Sequence, residues 1–221
     1  MERAHHLFTI GHSSADWQTF LAALQQFEIS LLIDVRSRPR SSRFPHFSQP
    51  ELEQSLCNAG IRYLFLGEEL GGRPDDPKVY REDGLVNYRA RRKSRGFHAG
   101  LDRVLTELGQ DTLVLMCAEE DPLTCHRFLV ICPELTAAGV EPRHIRKGAA
   151  IETQRAAEDR LLEAHHFGDV ASQSLFTAGR AAALEDAYVA QAELCAFRAD
   201  PQTIECLRES GSAGPLKART G

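Results

Sequence analysis

One motif of the chain, CAEEDPLTCHR at residues 117–127, concentrates the side chains that are most capable of chemistry. It follows an apolar stretch at 113–117 that has the length of a buried strand, and the residues after it are typical of a loop that leads into a helix. A carboxylate at such a strand end can transfer a proton, as can a histidine near neutral pH. We therefore expect Glu119 and His126 to be catalytic.

The Cys-His-Arg end of this motif allows three interpretations. In the first, His126 and Arg127 bind or protonate an anion at the start of a helix, where Cys125 would also contact the ligand. In the second, Cys125 is a nucleophile, although the spacing to the next arginine differs from the phosphatase pattern of a cysteine, five residues and an arginine. In the third, Cys117, Cys125, His126 and His12 bind zinc or iron. The gap of seven residues between the cysteines is not a familiar zinc spacing, so we favour the first interpretation and expect no metal.

Two other strand ends carry polar residues. His12 follows a glycine that would allow close backbone approach, and Asp34 ends an apolar run; both are expected to complete the catalytic set. Arg36 and Arg38 come next, and the planar fork of arginine suits phosphate or carboxylate. Because strand ends meet at one edge of a parallel sheet, we expect these residues around a single cleft with Arg127.

The elements that must position these residues alternate between strand and helix. Apolar runs of strand length are separated by segments whose apolar residues recur at helical spacing. This order predicts an α/β fold that is Rossmann-like, with a mainly parallel sheet flanked by helices. The predicted strands lie at 7–10, 31–35, 63–66, 113–117 and 140–145.

The chain divides into three predicted parts. Residues 1–150 form the α/β domain, and its charged segment 67–95 is long enough to act as a flap over the site. Residues 151–198 form a helical extension packed on the domain, and a helix is also predicted at 125–138. Residues 199–221 are expected to be a disordered tail, because serine, glycine and charged residues dominate its end.

Three motifs of the chain, TIGHS at 9–13, DVRSRPRS at 34–41 and CAEEDPLTCHR at 117–127, resemble the bacterial and archaeal family called domain of unknown function 488. The resemblance extends over about residues 7–198. Phe197 is a departure, because similar sequences often have tyrosine there. The resemblance implies a Rossmann-like α/β domain and gives weight to the motif residues, but it implies no reaction.

Composition narrows the class of protein. The 221 residues are 43% hydrophobic and 26% charged, with a net charge of −5, so any polyanion must be met by a local basic patch. No apolar run is long enough for a membrane span, and the six scattered cysteines indicate a reduced, cytoplasmic protein.

These observations favour one function over another. No Gly-x-Gly-x-x-Gly turn follows the first strand, so we expect transfer or hydrolysis of a nucleotide, nucleic-acid component or other phosphorylated small molecule. The alternative is a non-catalytic module that binds nucleotide or nucleic acid. The sequence names no cofactor and no oligomeric state.

Overall fold

A six-stranded, mainly parallel sheet forms the centre of the protein. The computed structural model describes residues 6–167 and 177–212. The strand order is β3-β2-β4-β1-β5-β6, and only β6 runs antiparallel to its neighbour. The strands are β1 (Leu7–Gly11), β2 (Leu31–Asp34), β3 (Arg62–Phe65), β4 (Leu113–Cys117), β5 (Arg143–Ile145) and β6 (Ile151–Thr153). The predicted strands and the α/β fold are confirmed, and β6 is an addition.

Both faces of the sheet are covered, which explains why the central strand β4 is apolar along its whole length. Leu113 and Leu115 of β4 face one apolar core, whereas Val114 and Met116 face the other. Strand residues alternate between faces, so a central strand buried on both sides carries mostly apolar side chains. The functional residues are thereby pushed to the strand ends.

The helices lie on the two faces. They are α1 (Trp17–Gln26), α2 (Gln49–Asn58), α3 (Gly67–Leu70), α4 (Tyr88–Arg92), α5 (Arg95–Leu108), α6 (Cys132–Ala137), α7 (Gln154–Ala164), α8 (Thr177–Cys195) and α9 (Pro201–Ser212). Helices α1 and α2 cover one face with apolar residues such as Phe20 and Leu52. Helices α5, α7 and α8 cover the other face, where Phe97, Leu161 and Ala187 are buried.

The helix predicted at 125–138 is interrupted. A π-helical segment, Arg127–Ile131, precedes α6. Pro133 at the start of α6 has no N–H with which to reach the Leu129 carbonyl one turn back. Arg92 Nη2 donates to that carbonyl instead, at 3.1 Å. The wider turn places Arg127 and its neighbours at the end of β4, and π segments often mark functional sites.

The segment at 67–95 is ordered and contains α3, a 3₁₀ turn at Pro77–Val79 and α4. It is tied to the chain after α8 by the bridge between Leu85 and Arg198. Gly72, Arg73 and Tyr88 of this segment line the cavity described below, and the role of the segment as a flap stays a prediction.

The carboxyl-terminal part corrects one boundary. Residues 201–212, placed in the predicted disordered tail, form α9, because Asp200 caps the helix and Ile204 is buried against the rest of the protein. Residues 213–221 of that tail, and residues 168–176 of the predicted helical extension, lie outside the described residues. Among the helices described, none has the length and apolar character needed to cross a bilayer.

Candidate active site

A cavity of about 710 Å³ opens at the carboxyl ends of the parallel strands. The loops after β1, β2 and β4 form its floor, while the segment 67–95 and the end of α8 form its walls. Open α/β sheets bind their ligands at this edge. The residues that line it include His12, Arg36, Arg38, Arg40, Gly72, Arg73, Tyr88, Cys117, Glu119, His126 and Arg198.

Asp34 and Arg36 form a buried ion pair in the floor. The guanidinium donates from Nη2 to Asp34 Oδ2 at 2.6 Å and from Nε to Oδ1 at 2.9 Å. The Asp34 carboxylate also accepts the Tyr63 hydroxyl at 3.0 Å. Both ion-pair side chains are almost inaccessible, at 0% and 6% exposure, so each charge depends on the other. Asp34 therefore holds Arg36 in place and does not itself line the cavity.

His12 is held neutral beside this pair. Its Nδ1 lies 3.0 Å from the Ser13 carbonyl and its Nε2 lies 3.3 Å from Arg36 Nη1, so Nδ1 carries the proton and Nε2 accepts. The ring stacks on Phe47 with centroids 4.2 Å apart. Burial and then the charge of Arg36 lower the pKa of His12 to about 4. The imidazole is thus an acceptor at neutral pH and not a proton donor.

Arg127 binds the backbone of the loop that follows β4. Its guanidinium donates to the carbonyl oxygens of Glu119 at 2.6 Å and of Glu120 at 2.8 Å, and it is 1% exposed. Its Nε donates to Thr9 Oγ1 at 3.3 Å. The structure therefore does not bring Arg127 to the cavity as expected, because its N–H groups already bind the backbone that presents Glu119.

Gly11 is the other support of this loop. A Cβ atom at position 11 would lie 1.6 Å from the Glu119 carbonyl oxygen, so only glycine permits the close approach of β1 and the loop. The Glu119 residue is exposed at the cavity, and its Oε2 lies 2.9 Å from Cys117 Sγ. Partial desolvation by the cavity wall, with negative charge on Cys125, raises the pKa of the Glu119 carboxyl.

Cys117, Cys125 and His126 form a compact cluster. His126 Nδ1 lies 3.8 Å from each sulfur, and the three atoms lie within 4.8 Å of one another. His126 Nε2 donates to the Val35 carbonyl at 3.0 Å, which leaves the Nδ1 lone pair directed at the sulfurs. Cys117 and His126 line the cavity, and Cys125 lies behind them at 1% exposure.

The two thiols differ in acidity. A hydrogen bond to Cys125 and burial raise the pKa of Cys117. Burial also raises the pKa of Cys125, but the hydrogen bond from Cys117 and the charges of Arg127 and His126 outweigh it. The pKa of Cys125 therefore lies below its usual value, and Cys125 ionises before Cys117.

Arginines surround the mouth of the cavity. Arg38, Arg40 and Arg73 are exposed and, among the described residues, make no salt bridge. Arg73 stacks over the Phe197 ring at 4.6 Å, and Arg198 binds Asp83 at 2.8 Å. Arg36 is paired with Asp34, whereas these three unpaired arginines at the mouth have positive charge available for a ligand.

The structure thus brings together most of the predicted residues at one edge of the sheet. His12, Arg36, Arg38, Glu119 and His126 line the cavity, whereas Asp34, Cys125 and Arg127 lie behind its walls.

The sequence did not identify Gly72, Arg73 and Arg198 as residues of the site, although all three line the cavity. The only sequence signals for them were the Gly-Gly-Arg run in the 67–95 segment and the late stretch that resembles the family. Neither signal indicates which strand end these residues reach, because long-range packing determines that.

Of three comparisons with known proteins, only the one with family models found a match. Searches of curated proteins and of solved structures returned no match. A family model described as "Domain of unknown function DUF488" matches residues 16–132, which is more than half of the chain. The matched region contains the Asp34–Arg36 pair and the whole motif 117–127. The chain therefore belongs to the DUF488 family.

Proposed function

We propose that this protein is an enzyme that transfers or hydrolyses a group on a phosphorylated small molecule, such as a nucleotide. The observation that carries the proposal is a cavity of about 710 Å³ that combines arginines at its mouth with acid–base groups on its floor. Its volume falls within the roughly 300–1,000 Å³ typical of small-molecule sites. Its place at the carboxyl ends of the strands agrees with this use.

Arginine chemistry favours an anionic ligand. Arg38 and Arg40 are exposed at the cavity and bind no described carboxylate, so no internal partner competes with a phosphate for their forks. Arg73 adds a third charge from the facing wall. Ser37 also faces the cavity and can donate a hydrogen bond. Because the whole chain has a net charge of −5, this cluster of arginines does not simply reflect a basic composition.

Acid–base chemistry is assigned to Glu119. Its raised pKa brings the carboxyl closer to neutrality, where a general acid or base is most effective. His126 can accept a proton on Nδ1, whereas His12 serves as a neutral acceptor that positions ligand or water. We also propose a cytoplasmic location, where the free thiols of Cys117 and Cys125 would stay reduced.

Calorimetric titration with ATP and with inorganic phosphate tests the anion site. We expect Arg38→Gln and Arg40→Gln each to weaken binding about tenfold, or about 1.4 kcal/mol, because each removes one charge-assisted contact. Arg155→Gln is the matched control, since Arg155 is exposed on α7 and pairs with Asp159 outside the cavity. Equal affinity in all variants, or no binding of either probe, would argue against the proposal.

Turnover separates an enzyme from a binding module. Phosphate release from a panel of nucleotides is measured for the wild type and for Glu119→Gln, which keeps the size of the side chain. We expect the variant to bind the nucleotide with similar affinity but to lose most of its turnover, by about 10²–10⁴-fold. A wild type that binds nucleotide or single-stranded nucleic acid without turnover would instead support the non-catalytic alternative.

A further inference from the structure

The Cys117–Cys125–His126 cluster has the form of a metal site. Its two sulfurs and one nitrogen come from β4 and from the start of the following helical segment, which pack against each other. Each sulfur lies 3.8 Å from His126 Nδ1, and all three atoms fall within 4.8 Å. Among the described residues this is the one group of three such donors that converges.

The two sulfur–nitrogen distances are close to those found around a tetrahedral zinc ion. Zinc binds thiolate sulfur at about 2.3 Å and imidazole nitrogen at about 2.05 Å, so a sulfur and a nitrogen ligand at a tetrahedral angle lie about 3.6 Å apart. The distances of 3.8 Å therefore require shifts of only a few tenths of an ångström.

The orientation of His126 is the second argument. Its Nε2–H donates to the Val35 carbonyl at 3.0 Å, the arrangement by which proteins fix the tautomer of a metal-binding histidine. Nδ1 is then left as an acceptor with no oxygen or nitrogen donor, facing two thiols. Gly72 keeps the space beside this atom open, because a Cβ at that position would lie 2.9 Å from Nδ1.

Charge is balanced at the cluster. The Arg127 guanidinium donates to the backbone carbonyl of Glu119, two residues after Cys117. Two thiolates and one neutral imidazole neutralise a divalent ion, as in catalytic zinc sites with two cysteines and one histidine. Because Cys117 and His126 line the cavity, the remaining coordination position faces the ligand space.

We propose that Cys117 Sγ, Cys125 Sγ and His126 Nδ1 bind one zinc ion whose fourth position opens to the arginine-lined cavity. This goes beyond the proposed function and does not depend on it, because the three ligands are independent of the arginines and of the Glu119 carboxylate. With zinc bound, His126 Nδ1 would coordinate the ion, and Glu119 alone would transfer the proton. A zinc ion there would act as a Lewis acid on a bound water or substrate oxygen. The proposal departs from the sequence-based expectation of no metal.

Zinc titration of the reduced, chelator-treated full chain tests the site. Competition with a coloured zinc chelator, in a buffer with a non-thiol reductant, yields stoichiometry and affinity. We expect one zinc per chain, and Cys117→Ser or Cys125→Ser should weaken binding by more than the roughly 10–100-fold typical of losing an outer-shell partner. Cys195→Ser is the matched control, since its sulfur also lines the cavity but bonds the Gln191 carbonyl at 3.1 Å.

A second measurement uses the wild type alone, so a variant that misfolds cannot decide the outcome. Alkylation followed by mass spectrometry compares each thiol with and without zinc. We expect zinc to protect Cys117 and Cys125, while the exposed Cys57 reacts equally in both samples. Failure of the reduced chain to bind zinc, unchanged zinc affinity in both ligand variants, or equal alkylation of Cys125 with and without zinc would each overturn the proposal.

Discussion

The protein should lose stability in mild acid because His144 is buried in a neutral form. Its side chain is 0% exposed, with Nδ1 2.8 Å from Thr9 Oγ1 and Nε2 3.1 Å from Gln154 Oε1. Burial, and then the charge of Arg127, lower the pKa of His144 from 6.5 to about 4. The folded state therefore binds this proton less readily than the unfolded state does.

The sign and size of the effect follow from that shift. Above pH 6.5 the histidine is neutral in both states, so its stabilising contribution is complete; it is lost as the pH falls from 6.5 to about 4. At about 1.36 kcal/mol per pKa unit, the loss is about 3 kcal/mol. The substitution His144→Gln removes the titrating group. Between pH 7 and pH 4, the free energy of unfolding of this variant should therefore fall by about 3 kcal/mol less than the free energy of unfolding of the wild type.

Urea unfolding followed by circular dichroism at several pH values measures this difference. Each protein is compared with itself at pH 7, so the destabilisation that the substitution causes at neutral pH cancels. His98→Gln is the control, because His98 is exposed on α5, and it should follow the wild-type curve. If the wild type and His144→Gln lose stability in parallel, the assignment of a neutral, buried His144 is refuted.

Two further substitutions test the supports of the site. Asp34→Asn should cost about 3–5 kcal/mol in urea unfolding, because it leaves the Arg36 charge buried without its partner. The double variant Asp34→Asn/Arg36→Gln should cost less than the sum of the single variants, and strict additivity would contradict the coupling. Gly11→Ala should cost about 1–3 kcal/mol by displacing the Glu119 backbone, whereas Gly109→Ala, whose new Cβ meets nothing closer than 3.5 Å, should be tolerated. Similar melting temperatures for the two alanine variants would contradict the close packing at Gly11.

The main features of the fold could be predicted from the sequence because burial leaves a local pattern. Leu113 through Met116 are apolar at every position, as expected of a strand covered on both faces. The same reasoning placed polar residues at strand ends. It could not foresee β6, whose exposed Ile151 has no such pattern, or the helix α9, where the buried Ile204 is a weak signal.

The roles of individual charged residues depended on packing that local patterns do not encode. Arg127 follows His126 directly, and its position predicted an anion-binding residue. The π turn that precedes α6 directs its guanidinium at the carbonyls of Glu119 and Glu120 instead. Arg38 is exposed at the cavity and remains available for a ligand, although no local sequence feature distinguishes it from Arg127.

The sequence by itself determined the alternation of strand and helix, the family and the edge of the sheet at which the polar motifs meet. These follow from periodicity and from local motif residues. Only the tertiary structure decided which of these side chains line the cavity and which lie behind its walls. Cys117 and Cys125 are separated by seven residues, a gap that argued against a metal, yet the turn after β4 brings both sulfurs to 3.8 Å from one imidazole nitrogen. Distances between donor atoms depend on how the backbone turns in space, and residue spacing along the chain does not record that.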